Sequence, residues 1–285
     1  MDAITHTDLR AIEYLVIGHI THDITPSGFR LGGTATFSSL TARAMGLSVG
    51  IITSCDSQTE LENYEQIQVI NLPCEQNTTF ENINSDQGRI QYLYNNALPL
   101  DPSLVPPVWK KTPIVHLGPV ANEVDPSFID YFPDSLIFIT PQGWLRIADT
   151  DGMIHPKPWS LPNEILSKVT ATVISNEDVQ GDEDLISEMA LFSKILVVTE
   201  NKLGARLYWN GDVRHFKAPQ EACIDDIGAG DIFAAVFFSR LAETKDPWES
   251  ARFAVKLAAS SVTRRYLDSI PTREEVASTL VEIIK

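Results

Sequence analysis

A run of acidic residues and glycines lies directly before a long apolar segment and is the strongest candidate for chemistry. Residues 225–231 read DDIGAGD, and residues 232–238 are all apolar. The first N–H groups of a helix lack intrahelical acceptors, and the aligned peptide dipoles place partial positive charge at that end. We therefore predict a tight turn that opens a buried helix and could bind an anion.

The residue types within this run indicate what the site could do. Gly228 and Gly230 carry no Cβ, so their backbone could approach a phosphate closely. Asp231 would repel a phosphate, which suggests that its carboxylate instead takes the proton of an attacking hydroxyl or contacts a metal-bound water. The alternative is that Asp231 only complements the helix N-terminus and that the glycines only make a turn.

The composition bounds the class of protein. The chain has 285 residues, of which 44% are hydrophobic, and a formal net charge of −16. This acidity argues against nucleic acid or an anionic membrane as a partner, because both are bound by positive charge. The N-terminal residues form no apolar signal segment and no later apolar run is long enough to cross a bilayer, so we expect a cytoplasmic protein.

Cysteines and histidines give no metal signature. Cys55, Cys74 and Cys223 are far apart and form no Cys-x-x-Cys pair, so neither a disulfide framework nor a zinc site is indicated and core thiols are expected. His19 and His22 could be two metal ligands, but a third ligand at suitable spacing is missing. Surface or substrate contacts are the preferred interpretation of the two histidines.

The order of apolar segments predicts an α/β fold. Short apolar runs alternate with segments of helical periodicity, which favours a mostly parallel sheet covered on both faces, with ligands at the carboxyl ends of the strands. No linker, repeat or low-complexity segment is present, so one continuous domain over 1–285 is preferred. Predicted strands are 12–18, 49–53, 67–70, 114–118, 136–140, 172–175 and 195–199. Predicted helices cover 37–45, 125–132, 183–192 and 251–262, with a last helix starting at Thr272. Residues 246–249 form a capping-box-like start with proline at the first helical position, and Thr272 with Glu275 repeats this signal.

An antiparallel hairpin is predicted in the first third of the chain. Residues 78–83 and 89–94 alternate with period two and flank the turn cluster Asn84–Gly88. The segment before it, 18–24, reads as a polar loop or strand end that carries Asp23.

The acidic glycine run resembles the second signature of the PfkB, or ribokinase-like, carbohydrate kinases. That signature reads Asp, two variable residues, Gly-Ala-Gly-Asp, one residue and Phe, and Asp225, residues 228–231 and Phe233 match it. Asp226 and Ile227 depart from the flank of the signature. The resemblance implies a three-layer α/β/α sandwich with a small β lid, formed here by about 20–32 and 76–97.

The resemblance also implies an acceptor site. Family members have an aspartate that holds substrate hydroxyls after the first strand, then a Gly-Gly turn, and Asp23, Gly32 and Gly33 match. Phe37 stands where an asparagine usually contacts substrate, which suggests a less polar or differently shaped acceptor than ribose. Residues 18–37 are similar to the inositol-kinase branch.

Further substrate contacts follow from the same resemblance. Arg89 of the hairpin is a candidate for meeting substrate or the transferred phosphate, although a solvated side chain explains it as well. Gln142 belongs to the segment 141–146, whose counterpart is frequent in the family. Exposed lid strands could pair between two subunits and form a homodimer.

The implied nucleotide side departs from the family pattern. A family Asn-x-x-Glu motif, which organises magnesium and phosphate through water, falls on Ser175–Asp178, so Asp178 is the candidate for a water-mediated Mg²⁺ contact. This departure could weaken or relocate the metal site, and Asn201 replaces an intervening glycine nearby. The implied nucleotide contacts are Thr199, Gly204, Asp225, Gly228 and Gly230.

Together these features imply phosphoryl transfer. The chain has no Gly-x-Gly-x-x-Gly after its first strand, no Gly-Lys pair and no His-Arg-Asp loop. The resemblance implies that the γ-phosphate of ATP moves to an alcohol of a small sugar, polyol or nucleoside, with Mg²⁺ bridging phosphate oxygens. Asp231 would take the hydroxyl proton, while the amides of residues 228–230, which include Ala229, would stabilise the transferring group.

Two expectations can be set against a structure. Asp23 and the turn near residue 229 should face each other across one cleft, with closure of the hairpin excluding water. The competing hypothesis is a non-catalytic sugar- or nucleotide-binding protein on the same fold, motivated by the altered residues at 175–178 and at Phe37.

Overall fold

The computed structural model describes residues 9–59, 61, 64–85, 88–159 and 162–283. The strands are β1 Tyr14–Ile17, β2 Thr21–Thr25, β3 Gly28–Gly32, β4 Val49–Cys55, β5 Gln68–Pro73, β6 Thr79–Ser85, β7 Gly88–Asn95, β8 Ile114–Leu117, β9 Leu136–Ile139, β10 Arg146–Ala148, β11 Ile154–Pro156, β12 Ala171–Ser175, β13 Ile195–Thr199, β14 Ala205–Trp209 and β15 Asp212–Phe216. The α-helices are α1 Gly33–Ala44, α2 Phe128–Tyr131, α3 Pro162–Lys168, α4 Glu183–Phe192, α5 Ala229–Thr244, α6 Pro247–Ser261 and α7 Arg273–Ile283.

Nine strands form the main sheet in the order β15-β14-β13-β12-β9-β8-β1-β4-β5. From β5 to β13 every neighbouring pair is parallel, and β14 and β15 continue the sheet as an antiparallel hairpin. The mostly parallel sheet is therefore confirmed, whereas the hairpin at its edge was not predicted. Parallel strands leave their carboxyl ends at one edge, which is where a ligand site is expected.

The main sheet is apolar on both faces, and both faces are covered. Along β1, Tyr14 and Val16 belong to one hydrophobic cluster and Leu15 and Ile17 to the other. Buried residues of α1, α5, α6 and α7 complete the first cluster. Buried residues of α2, α3 and α4 complete the second. This double burial, expected for a parallel sheet, confirms the three-layer sandwich.

A second, four-stranded sheet has the order β3-β2-β6-β7. Its four strands fall within the segments 20–32 and 76–97. The predicted hairpin is present as β6 and β7, which pair antiparallel from Thr79↔Asn95 to Ser85↔Gly88. The segment 18–24, predicted as a polar loop or strand end, contains a strand, β2, whose alternate residues Thr21 and Asp23 are buried.

Helix starts agree with the capping signals in the sequence. The Asp246 carboxylate accepts from the amides of Trp248 and Glu249 at the start of α6. At the start of α7, the Thr272 amide donates to Glu275, whose own amide donates to the Thr272 hydroxyl. Helix α1 begins at Gly33, four residues before the predicted start, because its first turn of glycine and small residues carries no apolar periodicity.

Two expectations from the sequence need correction. Cys55 is buried, but Cys74 is only partly buried and Cys223 is exposed, so the thiols are not all in the core. His19 is fully buried, with its ring nitrogens 2.6 Å from Thr78 Oγ1 and 2.9 Å from Leu98 O, so it is neither a surface nor a substrate contact. Within the described ranges, no group of three or more His, Cys, Asp and Glu could hold a metal ion.

None of the helices that the structure describes combines the length and apolar character needed to span a bilayer.

Candidate active site

The acidic glycine run forms the turn that starts α5. Gly228 is the N-cap residue and has a φ of 77°, a conformation that favours glycine. The Asp225 carboxylate accepts from the Ile227 amide at 3.1 Å and from the Tyr266 amide at 3.2 Å, and Arg30 lies 3.8 Å from it. Asp225 thus ties the turn to other parts of the chain, and it is not among the residues that line the cavity.

Phe37 lies directly beneath this turn. A Cβ added to Gly228 would lie 2.3 Å from the Phe37 ring, so only glycine allows the two to pack. The Phe37 ring is 1% exposed and meets the Tyr266 ring edge-on, with centroids 6.4 Å apart. Phe37 therefore fixes the start of α5 against α1, and its ring reaches the cavity wall from below.

Gly230 has a different environment from Gly228. A Cβ at Gly230 would meet no heavy atom of the described structure within 4 Å outside its own helix, and Gly230 lines the cavity. Packing does not require a glycine there, whereas close approach of a ligand would. The neighbouring Ala229 amide donates to Asp226 O at 3.2 Å, so this amide has an acceptor within the protein.

The start of α1 lies against β2. A Cβ at Gly32 would lie 2.7 Å from Asp23 Oδ2, and one at Gly33 would lie 2.6 Å from His19 O. Gly33 also has a φ of 83°. Both glycines of the predicted Gly-Gly turn are thus needed for the helix to begin this close to Asp23. Gly33 lines the cavity, and Gly32 lies behind it.

The two helix starts meet at one cavity of about 560 Å³. Asp23 and Asp231 both line it, as the sequence predicted for the two distant segments. Other predicted residues at its wall are Gly33, Phe37, Gln142, Asp178, Thr199, Gly204, Gly228, Ala229 and Gly230.

Asp231 has an unusual electrostatic environment. Burial is the main cause that raises the pKa of its carboxyl to about 6, and the Asp178 and Asp23 carboxylates raise it further. The Thr34 hydroxyl donates to the carboxylate, and this hydrogen bond together with the positive charge of Arg146 acts in the opposite direction. A carboxylate with this pKa can accept a proton efficiently near neutral pH.

One half of the cavity is polar and lies under the four-stranded sheet. Asn82 of β6 and Gln91 of β7 face it together with Asp23, which is only 8% exposed. Gln142 lies at the floor, where its Nε2 donates to Asp178 at 3.2 Å. We call this half the acceptor half, because several hydroxyl-binding side chains converge there.

Arg146 is a cavity residue that the sequence reasoning missed. Its Nε donates to Val120 O at 2.9 Å and its Nη1 to Gln91 Oε1 at 2.6 Å, while the guanidinium lies 4.9 Å from the centre of the Phe80 ring. Arg146 thus connects both strands of the lid hairpin to the main body. Its position two residues after the Gly143-Trp144 pair was the signal available in the sequence.

The other half of the cavity is lined by loops after β13 and β15 and by α6. Gly204 has a φ of 104°, and a Cβ there would lie 1.9 Å from Phe216 O. The Thr199 hydroxyl donates to Ile174 O at 3.3 Å. We call this half the donor half, after the phosphoryl donor that the family resemblance assigns to Thr199 and Gly204. Its apolar wall consists of Val173, Ala218, Pro219, Val255, Ala258, Ala259 and Val262.

The altered motif at residues 175–178 lies between the two halves. The Asp178 carboxylate accepts from the Ser175 amide at 2.8 Å, and burial raises its pKa. Glu177 accepts from Asn201 Nδ2 at 2.7 Å. Both acidic side chains line the cavity, and carboxylate oxygens are the ligand type that Mg²⁺ prefers. The chemistry of these two carboxylates therefore fits a magnesium ion.

Arg89 stays a prediction. Its backbone lies on β7 opposite Asn84, and its side chain falls outside the described residues.

Comparison with known proteins gives the family context of this geometry. The family model of the pfkB family carbohydrate kinases matches residues 171–273. A fructokinase from Klebsiella pneumoniae is 26% identical over 159 residues, which are 50% of this chain and 51% of that protein. The chain thus spans about half the length of this curated relative.

Two solved structures show the same architecture over almost their whole length. A pyrophosphate-dependent myo-inositol-1 kinase, converted into a myo-inositol-3 kinase, is similar with a TM-score of 0.77 and 16% identity, over 94% of this chain and 99% of that one. Ribokinase from Thermotoga maritima is similar with a TM-score of 0.75 and 20% identity, over 95% and 99%. The fold is therefore that of ribokinase, and residues 171–273 within it match the pfkB family carbohydrate kinases.

Proposed function

We propose that this protein is a carbohydrate kinase that transfers the γ-phosphoryl group of ATP to a hydroxyl of a small, neutral polyol or sugar. The observation that carries the proposal is the position of Asp231: a carboxyl with a pKa of about 6, at the start of α5, in the same cavity as Asp23. In the reaction, the acceptor O–H proton passes to Asp231 and the acceptor oxygen bonds to the γ-phosphorus. The bond from that phosphorus to the bridging oxygen breaks, and ADP leaves.

The start of α5 supplies the charge stabilisation. The amides of Gly228 and Gly230 lie at the positive end of the helix dipole, and the transferring phosphoryl group gains negative charge there in the transition state. Gly230 leaves room for that group, since a Cβ would stand in open space. The Ala229 amide contributes less than the sequence predicted, because it donates to Asp226 O.

The charge of the acceptor half favours a neutral acceptor. Asp23 and Asp231 face this half, and Arg146 is the basic side chain among its described residues. A second phosphate or carboxylate on the acceptor would meet two carboxylates and one guanidinium, so repulsion would weaken binding. Carboxylate and amide groups, by contrast, are suited to binding the hydroxyls of a polyol.

The donor half suits a nucleotide in preference to free pyrophosphate. Its apolar wall could cover a purine base, which pyrophosphate lacks. Lys202 is the basic residue among the described side chains of this half, against the acidic side chains of Glu177, Asp178, Glu221 and Asp226. Mg²⁺ bound with the phosphates, near Glu177 and Asp178, would offset this repulsion and neutralise charge on the transferring group.

The four-stranded sheet acts as a lid in this proposal. Asn82 and Gln91 would contact the acceptor from above, and closure would exclude water that competes as nucleophile. The opposite face of the sheet exposes Phe29 by 67% and Tyr94 by 51%. A homodimer through these lid strands would cover them, and Phe29→Lys should then reduce the molecular mass seen by sedimentation to that of one chain.

The test is a screen for acceptor-dependent ADP release. Inositols, hexoses, pentoses and nucleosides would be compared with their phosphorylated forms, each with ATP and with pyrophosphate as donor. We expect a neutral polyol or sugar with ATP to give the highest kcat/KM. Binding of a polyol by calorimetry without ADP release from any acceptor would instead support the non-catalytic alternative.

A further inference from the structure

Three buried polar side chains next to the cavity are linked by hydrogen bonds and have no part in the mechanism above. We call them the hydrogen-bonded triad. The Tyr14 hydroxyl, on β1, lies 3.1 Å from His116 Nδ1 on β8. His116 Nε2 lies 3.0 Å from the hydroxyl of Thr140, which directly follows β9. Tyr14 and His116 are fully buried, whereas Thr140 lines the cavity. The hydrogen-bonded triad therefore connects the core with the cavity wall.

The His116 imidazole of the triad is neutral at neutral pH. Burial lowers the pKa of His116 to about 3, and burial also raises the pKa of Tyr14 well above its ordinary value. The Phe238 ring covers His116 edge-on, with centroids 4.9 Å apart. A neutral imidazole has one nitrogen that donates and one that accepts, so the two hydrogen bonds of the triad must both point from Tyr14 towards Thr140 or both point the other way.

The phenol decides the direction. Tyr14 has one hydrogen to donate, and among the described residues its hydroxyl partner is His116 Nδ1. If Nδ1 carried the proton, the phenol oxygen would have to accept, and the phenol hydrogen would be buried without an acceptor, which is costly. Tyr14 therefore donates to Nδ1, the imidazole proton lies on Nε2, and Nε2 donates to Thr140 Oγ1.

This direction sets what Thr140 can do. A hydroxyl that accepts a hydrogen bond from an N–H group keeps its own hydrogen for another acceptor. A Cβ at Gly118 would lie 2.4 Å from Thr34 Cγ2 and 3.4 Å from Thr140 Oγ1, so Thr140 lies close to the threonine that binds Asp231. The hydrogen of Thr140 is thus available on the side of the cavity where the acceptor would react.

We propose that Tyr14 and His116 are positioning residues that fix the Thr140 hydroxyl as a hydrogen-bond donor to an oxygen of the acceptor alcohol. This inference rests on the proposed function, because it requires an acceptor in this half of the cavity. It adds a specificity element: an acceptor with a hydroxyl oxygen at this position binds, and the analogue without that oxygen leaves Thr140 without its partner.

Kinetics of matched variants test the acceptor contact. Thr140→Val removes the donor and Thr140→Ser keeps it, while Tyr14→Phe removes the phenol that sets the direction. Tyr64→Phe is the control, since it removes another buried phenol hydroxyl, which donates to Thr36 at 2.8 Å and does not belong to the hydrogen-bonded triad. We expect T140V and Y14F to raise the acceptor KM by about 3- to 10-fold with the ATP KM unchanged, and T140S and Y64F to resemble the wild type. An acceptor KM in Y14F equal to that in Y64F overturns the inference.

Nitrogen NMR of protein with labelled histidine shows which His116 nitrogen carries the proton, and so gives the direction of the hydrogen bonds in the triad without any turnover assay. The His116 signals are assigned by their loss in His116→Gln. We expect a protonated Nε2 and an unprotonated Nδ1 in the wild type, and altered signals in Y14F but not in Y64F. A protonated Nδ1 in the wild type overturns the inference. If the wild type phosphorylates no acceptor, the proposed function fails and the role of Thr140 fails with it. An active wild type with unaffected T140V contradicts the inference alone.

Discussion

The Thr34 hydroxyl in the first turn of α1 donates a hydrogen bond to the Asp231 carboxylate in the first turn of α5. The two residues come from opposite ends of the chain, and their contact brings two helix N-termini to one cavity. Ser38, one turn further along α1, donates to the backbone oxygen of Asp231 at 3.3 Å and supports the same alignment. The state of the proposed base therefore depends on the packing of α1 against α5.

This contact gives a prediction about pH. Because burial raises the pKa of Asp231 to about 6, kcat/KM for the acceptor should decrease as the pH falls through about 6, where the base becomes protonated. Thr34→Val removes a hydrogen bond to the ionised form, so the inflection should move up by about 0.5 to 1 pH unit. Thr34→Ser is the control and should leave the inflection unchanged. A T34V profile that superimposes on the wild type would show that the contact does not tune the base.

The Asp231 carboxyl should also lower the free energy of unfolding at neutral and higher pH, where it is ionised. Its pKa is about 6 in the folded protein against an ordinary value of 3.8, so the folded state binds the proton more tightly. Stability linked to this group is present below pH 4 and is lost as the pH rises through 6. Asp231→Asn should therefore raise the free energy of unfolding by on the order of 1–3 kcal/mol at pH 8 and have little effect at pH 4. Equal effects at both pH values, measured by denaturant unfolding, would argue against a raised pKa.

The two glycines at the start of α5 should respond differently to substitution. Gly228→Ala should destabilise the fold by about 2–4 kcal/mol, because alanine strains the positive φ and its Cβ would overlap the Phe37 ring. Gly230→Ala should leave stability within about 1 kcal/mol yet reduce kcat at least about 10-fold, because its methyl group enters the cavity. Thermal unfolding and steady-state kinetics separate these effects. Normal turnover in G230A would remove the argument that a phosphoryl group approaches there.

Arg146 should affect both the lid and the base. Its positive charge lowers the pKa of Asp231, so Arg146→Met should move the pH inflection of kcat/KM upward. It should also raise the acceptor KM, since the lid loses its link through Gln91. Arg240→Met is the matched control: Arg240 also lies over an aromatic ring, Phe253 at 5.3 Å, and pairs with Glu249 away from the cavity. R240M should lose stability and keep the wild-type pH profile; a shift of equal size in both variants would assign the effect to folding.

The parts of this account that the sequence predicted are mostly local. The glycine turn, the buried helix after it and the cap at Asp246 depend on residues within a few positions of one another, and propensity and capping rules describe such contacts directly. Strands with continuous apolar runs were found for the same reason. The edge hairpin β14–β15 was missed because four of the five residues of β15 are exposed, so this strand has no apolar run.

The parts that the sequence could not predict depend on contacts between distant positions. Phe37 was noted as a departure from a polar position, but its packing under Gly228 joins residues that only the fold brings together. The Tyr14–His116 hydrogen bond spans 102 positions and follows from the order of strands in the sheet. Arg146 was missed because its role comes from a lid strand and a main-body carbonyl that meet around it.

The central claim is that Asp231 acts as the base of phosphoryl transfer, and the most direct test is the turnover of Asp231→Asn with the best acceptor. Asp246→Asn is the matched control, because Asp246 also lies at a helix N-terminus, where it caps α6. We predict that D231N lowers kcat by about 10²- to 10⁴-fold with an ATP Kd within about 2-fold of the wild type, while D246N keeps its activity. A D231N enzyme with nearly full turnover, or one that loses ATP binding in step with turnover, would contradict the account.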